Sequence, residues 1–315
     1  MMKTLQSSDG LMWIPEERPC PVCSSTDRRV LGKRGGNAHH KGSGVETSIV
    51  QCQVCELLYA FPTLVPKSSP YELETAEEYF GLHDFEAKVQ YGRSLADFAC
   101  ALMGSKGSML ELGCGRGEFL IGAKERGWEV KGVEMTNNYA EAARSHEIDV
   151  EVSSIEDCEA IKKQWDVIVL VAVLEHVYDP LGTLRLIHQA LRGGGLLFID
   201  VPNEFSLAMR LGNGYMRLLG KDWVVNLSPT FPPYHVMGFS PASLRNILKR
   251  AGFQIHTMLK PKRNDLIPKG RSLKRKLELS SLRFITLVGR AIGLGDGLEC
   301  WAMKPRKRPE SGEEH

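Results

Sequence analysis

At 315 residues the chain is long enough for one large domain and a small one. An apolar share of 43%, a charged share of 25% and a formal charge of +2 are ordinary for a globular protein and give no overall attraction for nucleic acid. No apolar run approaches the roughly 20 residues a membrane helix needs, and Met1 to Pro15 lacks the long apolar stretch of a secretory signal.

Eight cysteines without such a signal point to a reducing, cytoplasmic setting. Four of them are paired by spacing, in Cys20-Pro21-Val22-Cys23 and Cys52-Gln53-Val54-Cys55. Short β-type runs, Arg29–Leu31 and Ile49–Gln51, lead out of one pair and into the other, around a Gly-, Lys- and His-rich tip at Gly32 to Gly44. This predicts a zinc ribbon over residues 14–65. Four thiolates complete a tetrahedral zinc shell, so the metal is expected to be structural. Cys100, Cys114, Cys158 and Cys300 have no such spacing and read as small buried hydrophobes. A Pro/Ser linker, Pro62 to Pro70, then leads to a helical region over Glu72–Met103, with Tyr79, Phe80, Phe85, Val89, Leu95 and Phe98 at loosely helical spacing. The linker and helical segment together cover 66–104.

From 105 to 305 strand and helix alternate as a doubly wound α/β, Rossmann-like sheet requires. Strands are expected at Met109–Leu112, Glu129–Val133, Val150–Val152, Val167–Val171, Leu196–Val201 and Phe253–Leu259, with Leu298–Lys304 as a final, reversed strand. Helices are expected at Phe119–Arg126, Tyr139–His146, Ile155–Lys163, Leu181–Leu191 and Pro241–Ala251, the last capped by Ser240 and ended by Gly252. Gly193-Gly194-Gly195 is expected to end the fourth helix and turn the chain into the fifth strand. Two insertions interrupt the scheme. Residues 203–234, aromatic and glycine-rich, leave the fifth strand at the ligand edge and are expected to form a substrate lid. Residues 260–297 are basic, then amphipathic.

The most informative stretch is Met109-Leu110-Glu111-Leu112-Gly113-Cys114-Gly115-Arg116-Gly117-Glu118-Phe119. It runs from a strand through a glycine loop into a helix, and an acidic residue, Glu134, ends the next strand. That is the layout of a nucleoside-cofactor site at the carboxyl edge of a parallel sheet. A dinucleotide fold would show GxGxxG, but the last glycine position here is Glu118. A cofactor without a pyrophosphate needs only close backbone approach, so the loop reads as a site for S-adenosylmethionine.

The motif set Glu111–Gly117, Gly132–Met135, Trp165–Leu170, Val173–Val177 and Leu191–Leu197 resembles that of class I S-adenosylmethionine-dependent methyltransferases over about residues 105–260. The cysteine ribbon followed by Tyr79-Phe80, and the closing His235-Val-Met-Gly-Phe-Ser240, resemble a bacterial subgroup linked to sugar, polysaccharide and secondary-metabolite methylation. The resemblance implies that Gly113, Cys114, Gly115 and Gly117 cradle the cofactor. Glu111 would lie near its methionine amino group, and Glu134 would accept hydrogen bonds from both ribose hydroxyls. Ser154, Ile155 and Glu156 would border the adenine, although a Ser-rich turn before an acidic residue is also a common helix cap. Met135, Val171 and Val173 are placed with the same cofactor wall.

Glu175 and His176 end the fourth strand, where the methyl group should point. His176 can serve as general base for an acceptor hydroxyl, or else form a pocket wall. His235, with Tyr234, is the second base candidate, or an interface histidine that positions the lid. Some relatives bind a metal through an acidic residue three positions before this Glu-His pair, but Ala172 stands there, so no catalytic metal is expected. The basic patches Lys260–Arg263, Lys269–Lys276 and Lys304–Arg308 read as solvated faces or tail, with membrane-surface contact as the sharper reading of the middle one and RNA contact as a third. The expected activity is methylation of a small molecule or glycan, chiefly a sugar. An RNA methyltransferase using the ribbon and a non-enzymatic scaffold are the alternatives. A nucleic-acid partner is not expected, because the ribbon is not strongly basic and lacks a run of stacking aromatics.

Overall fold

The two cysteine knuckles bracket a hairpin, and that hairpin seeds an amino-terminal sheet. The computed structural model describes residues 4–73, 84–259 and 273–306. Strands β1 (Leu5–Gln6) and β2 (Met12–Glu16) precede the first knuckle. β3 (Arg28–Arg34) and β4 (Thr47–Cys52) run antiparallel out of it and into the second. β5 (Leu58–Phe61) continues that sheet, and β6 (Thr63–Pro66) pairs back onto β2 with Trp13 opposite Pro66. Each knuckle uses the same turn. The residue after its second cysteine has positive φ, 58° at Ser24 and 63° at Glu56. That residue's amide donates to the carbonyl of the first cysteine, Cys20 or Cys52. Repeating one turn on facing strands brings the four sulfurs together.

Helix α1 (Phe85–Met103) starts behind Asp84, whose carboxylate accepts the Ala87 amide, and stops at Gly104 with φ 78°. The first part of the expected helical region, with Tyr79 and Phe80, lies outside the described residues.

The main sheet follows the expected alternation. In chain order come β7 (Ser108–Leu112), α2 (Glu118–Glu125), β8 (Glu129–Glu134), α3 (Asn137–Arg144), β9 (Val150–Val152), β10 (Trp165–Val171), α4 (Pro180–Ala190) and β11 (Leu191–Pro202). They are followed by α5 (Leu207–Leu218), β12 (Met237–Gly238), α6 (Pro241–Arg250), β13 (Gln254–Leu259), α7 (Leu273–Ala291) and β14 (Gly297–Met303). Seven strands lie in the order β13-β14-β11-β10-β7-β8-β9. β14 runs antiparallel to both its neighbours, the reversed strand expected from the sequence. The carboxyl ends of the parallel strands β7, β8, β10 and β11 share one edge. The central strands β7, β10, β11 and β14 are buried nearly throughout because helices cover both faces, whereas the edge strands β9 and β13 are more open.

Two local expectations change. Ile155–Lys163 is not a full helix: it is a turn with a short 3-10 segment at Ala160–Lys162. Side chains satisfy its backbone instead, since Glu151 accepts the amides of Glu159 and Ala160, and Ser154 accepts that of Asp157. The Gly193–Gly195 run does not end α4. β11 begins at Leu191, and the glycines form a bulge where the register with β10 jumps from Leu191 to Leu196. Residues 203–234 split into the helix α5 and a return segment that runs along the cysteine-bearing sheet, where Val224 and Leu227 pack with Ile49, Leu58 and Ala60.

The amino-terminal sheet is completed from the far part of the chain. β12 pairs with β5, placing Met237 opposite Tyr59. Cys20, Cys52, Cys55, Leu57 and Tyr59 thereby share one hydrophobic core with Leu110, Leu170, Ile199, Phe239 and Leu244. The α6 cap extends the link: Ser240 forms a capping box with Ser243, and its hydroxyl reaches Glu56 of the second knuckle at 3.3 Å.

Candidate active site

The glycine loop sits between β7 and α2, at the carboxyl edge. Gly113, Gly115 and Gly117 have φ of 72°, 55° and 78°, values that favour glycine. At Gly113 space is limiting as well, because a Cβ there would lie 2.6 Å from Val173 Cγ2. The amides of Gly113 and Cys114 donate to the Val133 carbonyl, tying the loop to β8. Glu134, at the end of β8, accepts the amides of Gly115 and Thr136, both at 2.9 Å. Each of its oxygens has one further lone pair to offer a ribose hydroxyl. Burial raises the Glu134 pKa, and these backbone amides oppose the rise.

Glu111 lies behind the loop, 1% exposed, and its Oε2 has no hydrogen-bond partner among the described residues. Burial, reinforced by the charge of Glu118, raises its pKa well above the usual carboxylate range. A buried oxygen of this kind fits a cationic amino group, which would supply both charge and donors. S-adenosylmethionine therefore fits this cradle of glycines and two carboxylates. Glu118 is settled differently, by Arg116 at 2.6 Å and Lys88 at 3.9 Å.

The Glu111 shift has a consequence for stability. Its folded pKa lies above the unfolded value. The protein without cofactor therefore gains stability from this group below the unfolded pKa, and loses it as pH rises toward the folded one. Glu111→Gln is expected to raise the melting temperature of the cofactor-free protein at neutral pH. The same change should weaken S-adenosylmethionine binding by about 10- to 100-fold. Differential scanning calorimetry across pH together with titration calorimetry checks both halves. A lower melting temperature at every pH would contradict the assignment.

The other expected cofactor residues are spread along the same edge. Met135 is half-exposed beyond Glu134. The Ser154 hydroxyl donates to Asp157, Ile155 packs against the core, and Glu156 accepts from Thr183. Val171 and Val173 flank Ala172, which takes φ 54° with its amide donating to the Asp200 carbonyl.

Glu175, His176, Tyr234 and His235 come together, although 58 residues separate His176 from Tyr234. Glu175 and His176 lie on a short 3-10 turn after β10. The Glu175 carbonyl accepts the Val236 amide, so the two segments are joined through backbone. The imidazoles meet edge to face with centroids 4.9 Å apart. Buried Glu175 places Oε1 3.9 Å from His235 Nε2. Ser228 grips His235 from the other side, its hydroxyl accepting the His235 amide and its own amide donating to the His235 carbonyl. His176 Nδ1 lies 2.9 Å from the Tyr71 hydroxyl and 3.2 Å from the Tyr234 carbonyl. A carbonyl can only accept, which favours a proton on Nδ1 and leaves Nε2 as the basic atom. Tyr234 has φ 63° and buries its ring, stacked with Trp13 and edge-on to Tyr71.

Trp13 and Tyr71 were not foreseen as site residues. Tyr71 lies 105 residues before His176, just after the Pro/Ser linker, where no local motif marks it. Only pairing of the amino-terminal strands onto the main domain brings both aromatics to the histidines.

Away from this site, the sulfurs of Cys20 and Cys55, and of Cys23 and Cys52, are 3.4 Å apart, and all four lie within 4.8 Å of one another. A tetrahedral ion with metal–sulfur bonds of about 2.3 Å fits such a set. The Cys55 sulfur beside it lowers the Cys20 pKa to about 5, while Cys55 is raised in return.

A family model described as a methyltransferase domain matches residues 85–258, more than half of the chain. The ubiquinone biosynthesis O-methyltransferase of Azoarcus sp. (strain BH72) is 29% identical over 166 residues, covering 50% of this chain and 68% of the relative. That of Aeromonas salmonicida (strain A449) is 27% identical over 171 residues, covering 52% and 69%. The crystal structure of the plantazolicin methyltransferase BpumL, in complex with a triazolic desmethylPZN analog and SAH, is 14% identical with a TM-score of 0.50, covering 76% of this chain and 92% of that one. This last likeness is one of fold.

Proposed function

The chain belongs to this methyltransferase family and is an S-adenosylmethionine-dependent methyltransferase, and from that premise we propose that its acceptor is a small hydroxylated molecule, a nucleotide-linked or lipid-linked sugar. The observation that carries the reading is the convergence of Glu175, His176 and His235 beneath an aromatic wall of Trp13, Tyr71 and Tyr234, at the edge that holds the glycine loop. The partly exposed Tyr71 ring, backed by buried Tyr234 and Trp13, suits the C–H face of a sugar ring, and the histidines suit removal of a proton from the attacking atom.

The cofactor supplies a methyl group already activated on a sulfonium. The chain's own residues do the rest. Glu111 would hold the amino group and Glu134 the ribose. The histidine pair takes the acceptor proton as the new bond to carbon forms and the sulfur departs as a neutral thioether. Holding the acceptor in line and excluding water are the remaining tasks, and both fall to the aromatic wall. Oxygen and carbon acceptors place the same demand on the base. The four-cysteine cluster takes zinc in this reading, closed to substrate and structural.

A hydroxyl of a compound in ubiquinone biosynthesis is the second reading, favoured by the names of the O-methyltransferase relatives, and phenols serve as its probe. RNA finds less support, because cations of the ribbon sheet are engaged within the protein: Arg28 over Phe61, Arg29 on Gln51, and Lys33 with Glu46 and Asp222.

Titration calorimetry of the metal-loaded protein is expected to show binding of both S-adenosylmethionine and S-adenosylhomocysteine. Glu134→Ala should weaken it about 100-fold, the scale of two lost charge-assisted hydrogen bonds. A labelled-methyl screen of nucleotide sugars, glycolipids, phenols and RNA then tests the acceptor. Transfer to phenols or RNA with none to any sugar would refute the sugar reading.

A further inference from the structure

Helix α5 turns its apolar stripe outward. Leu211, Tyr215, Leu218 and Leu219 follow the i, i+4, i+7, i+8 spacing of one helix face, yet they are 50%, 58%, 87% and 51% exposed. The side turned toward the protein carries Met209 and Met216, only partly buried, beside Gly212 and Asn213. A Cβ at Gly212 would meet Val225 Cγ2 at 2.8 Å, while Asn213 bonds Asn226 and the Val225 amide. A surface helix ordinarily buries its apolar face against the core, and this one reserves it.

The flank of the stripe is cationic. Arg210 and Arg217 lie at neighbouring angles on one side of it and Lys221 follows the helix; all three are exposed, with Arg210 Nε also on the Phe205 carbonyl and Lys221 Nζ over the Trp223 ring, and residues 205–221 contain no Asp or Glu. α7 packs beside α5, with the Leu207 amide donating to the Leu294 carbonyl and Gly289 allowing close approach to Leu207. It repeats the pattern: Phe284 and Leu287 are 67% and 59% exposed, Arg283 and Arg290 are exposed, and residues 280–292 carry no acid. Asp222, just past α5, faces Lys33 at 3.8 Å.

We propose that α5, flanked by α7, is an interfacial helix pair that docks this enzyme on an anionic lipid surface. Charge decides between the occupants. A second copy meeting this face by a two-fold axis would set cations against cations, which is unfavourable. Anionic headgroups answer the arginines and the lysine while the acyl boundary takes the leucines. Among the described residues no helix is long and apolar enough to cross a membrane, so the contact is lateral. The basic stretch Lys269–Lys276, singled out from the sequence for such contact, lies outside the residues whose side chains are described. α5 starts from the same sheet edge as the glycine loop, so docking would bring that edge toward the lipid. The inference holds whichever acceptor the enzyme takes.

Vesicle sedimentation of the full-length, metal-loaded protein tests it. Partition onto phosphatidylcholine vesicles containing phosphatidylglycerol is expected to exceed that onto pure phosphatidylcholine at least tenfold, and to fall with salt. Leu218→Asp and Arg217→Glu should each lower it about tenfold. Both sites are exposed, and unchanged S-adenosylhomocysteine binding serves as the folding control. Equal partition of wild type and both variants, or no partition onto anionic vesicles, overturns the proposal. So does a dimer by analytical ultracentrifugation that Leu218→Asp dissolves.

Discussion

Removing the zinc proposed for the four-cysteine cluster is expected to abolish methyl transfer, although none of its cysteines belongs to the glycine loop or the histidine pair. Structural zinc contributes on the order of 10 kcal/mol to the folding of such a module, which is comparable with the whole stability of a typical domain. In an enzyme with an appended ribbon that loss would stay local. Here Cys20, Cys52 and Cys55 belong to the same buried core as Leu170, Phe239 and Leu244. β12 hydrogen-bonds to β5, only two residues after His235. The Val236 amide donates to the Glu175 carbonyl, so displacing β12 also displaces the histidine pair. Chelation, or Cys52→Ser, should therefore reduce kcat by about 1,000-fold or more, and near-UV circular dichroism should show loss of packing in the same samples. Re-adding zinc to the chelated protein should restore both signals. A metal-free protein that stays folded and turns over at the normal rate would show that the cluster is dispensable to the site.

The parts of the fold that sequence made legible are those written in local pattern. Apolar runs located the strands of the main sheet to within a few residues, because strands buried on both faces leave near-continuous hydrophobic stretches. The paired knuckles and the glycine loop were legible because each is a short turn with a strict backbone demand, seen at Ser24, Glu56 and Gly113. Ile155–Lys163 misled because Glu151, in the strand before it, satisfies the backbone that a helix would have used. α5 is amphipathic in sequence, but periodicity does not say which way the apolar face points, and Gly212 and Asn213 decided that. The candidate site was half legible. His176 follows a strand end and His235 opens the motif that closes on Ser240, whereas Trp13 and Tyr71 reach them only through the two-residue strand β12 and the pairing of β6 with β2, neither of which leaves a sequence signal.

His235→Ala is expected to lower kcat by about 100- to 10,000-fold, the range for losing a general base, with cofactor affinity held within about twofold. The assignment rests on how each imidazole is held. His176 has its Nδ1 engaged by the Tyr71 hydroxyl and the Tyr234 carbonyl, groups that fix the ring but carry no charge. His235 presents Nε2 to the buried Glu175 carboxylate at 3.9 Å, a partner that stabilises the imidazolium formed when the acceptor gives up its proton. On this proposal Nδ1 of His235 would be the proton-accepting atom, and His176 with Tyr71 would position the acceptor. Glu175→Gln should then lower kcat by about 10- to 100-fold while leaving KM for the acceptor near its original value, because shape survives and charge does not. His176→Ala and Tyr71→Phe should instead raise KM for the acceptor more than they lower kcat. Steady-state kinetics with a saturating methyl donor separates the two patterns. A large kcat loss in His176→Ala beside a near-normal His235→Ala would exchange the roles, and it would locate the base on the β10 side of the site rather than on the segment that leads into β12.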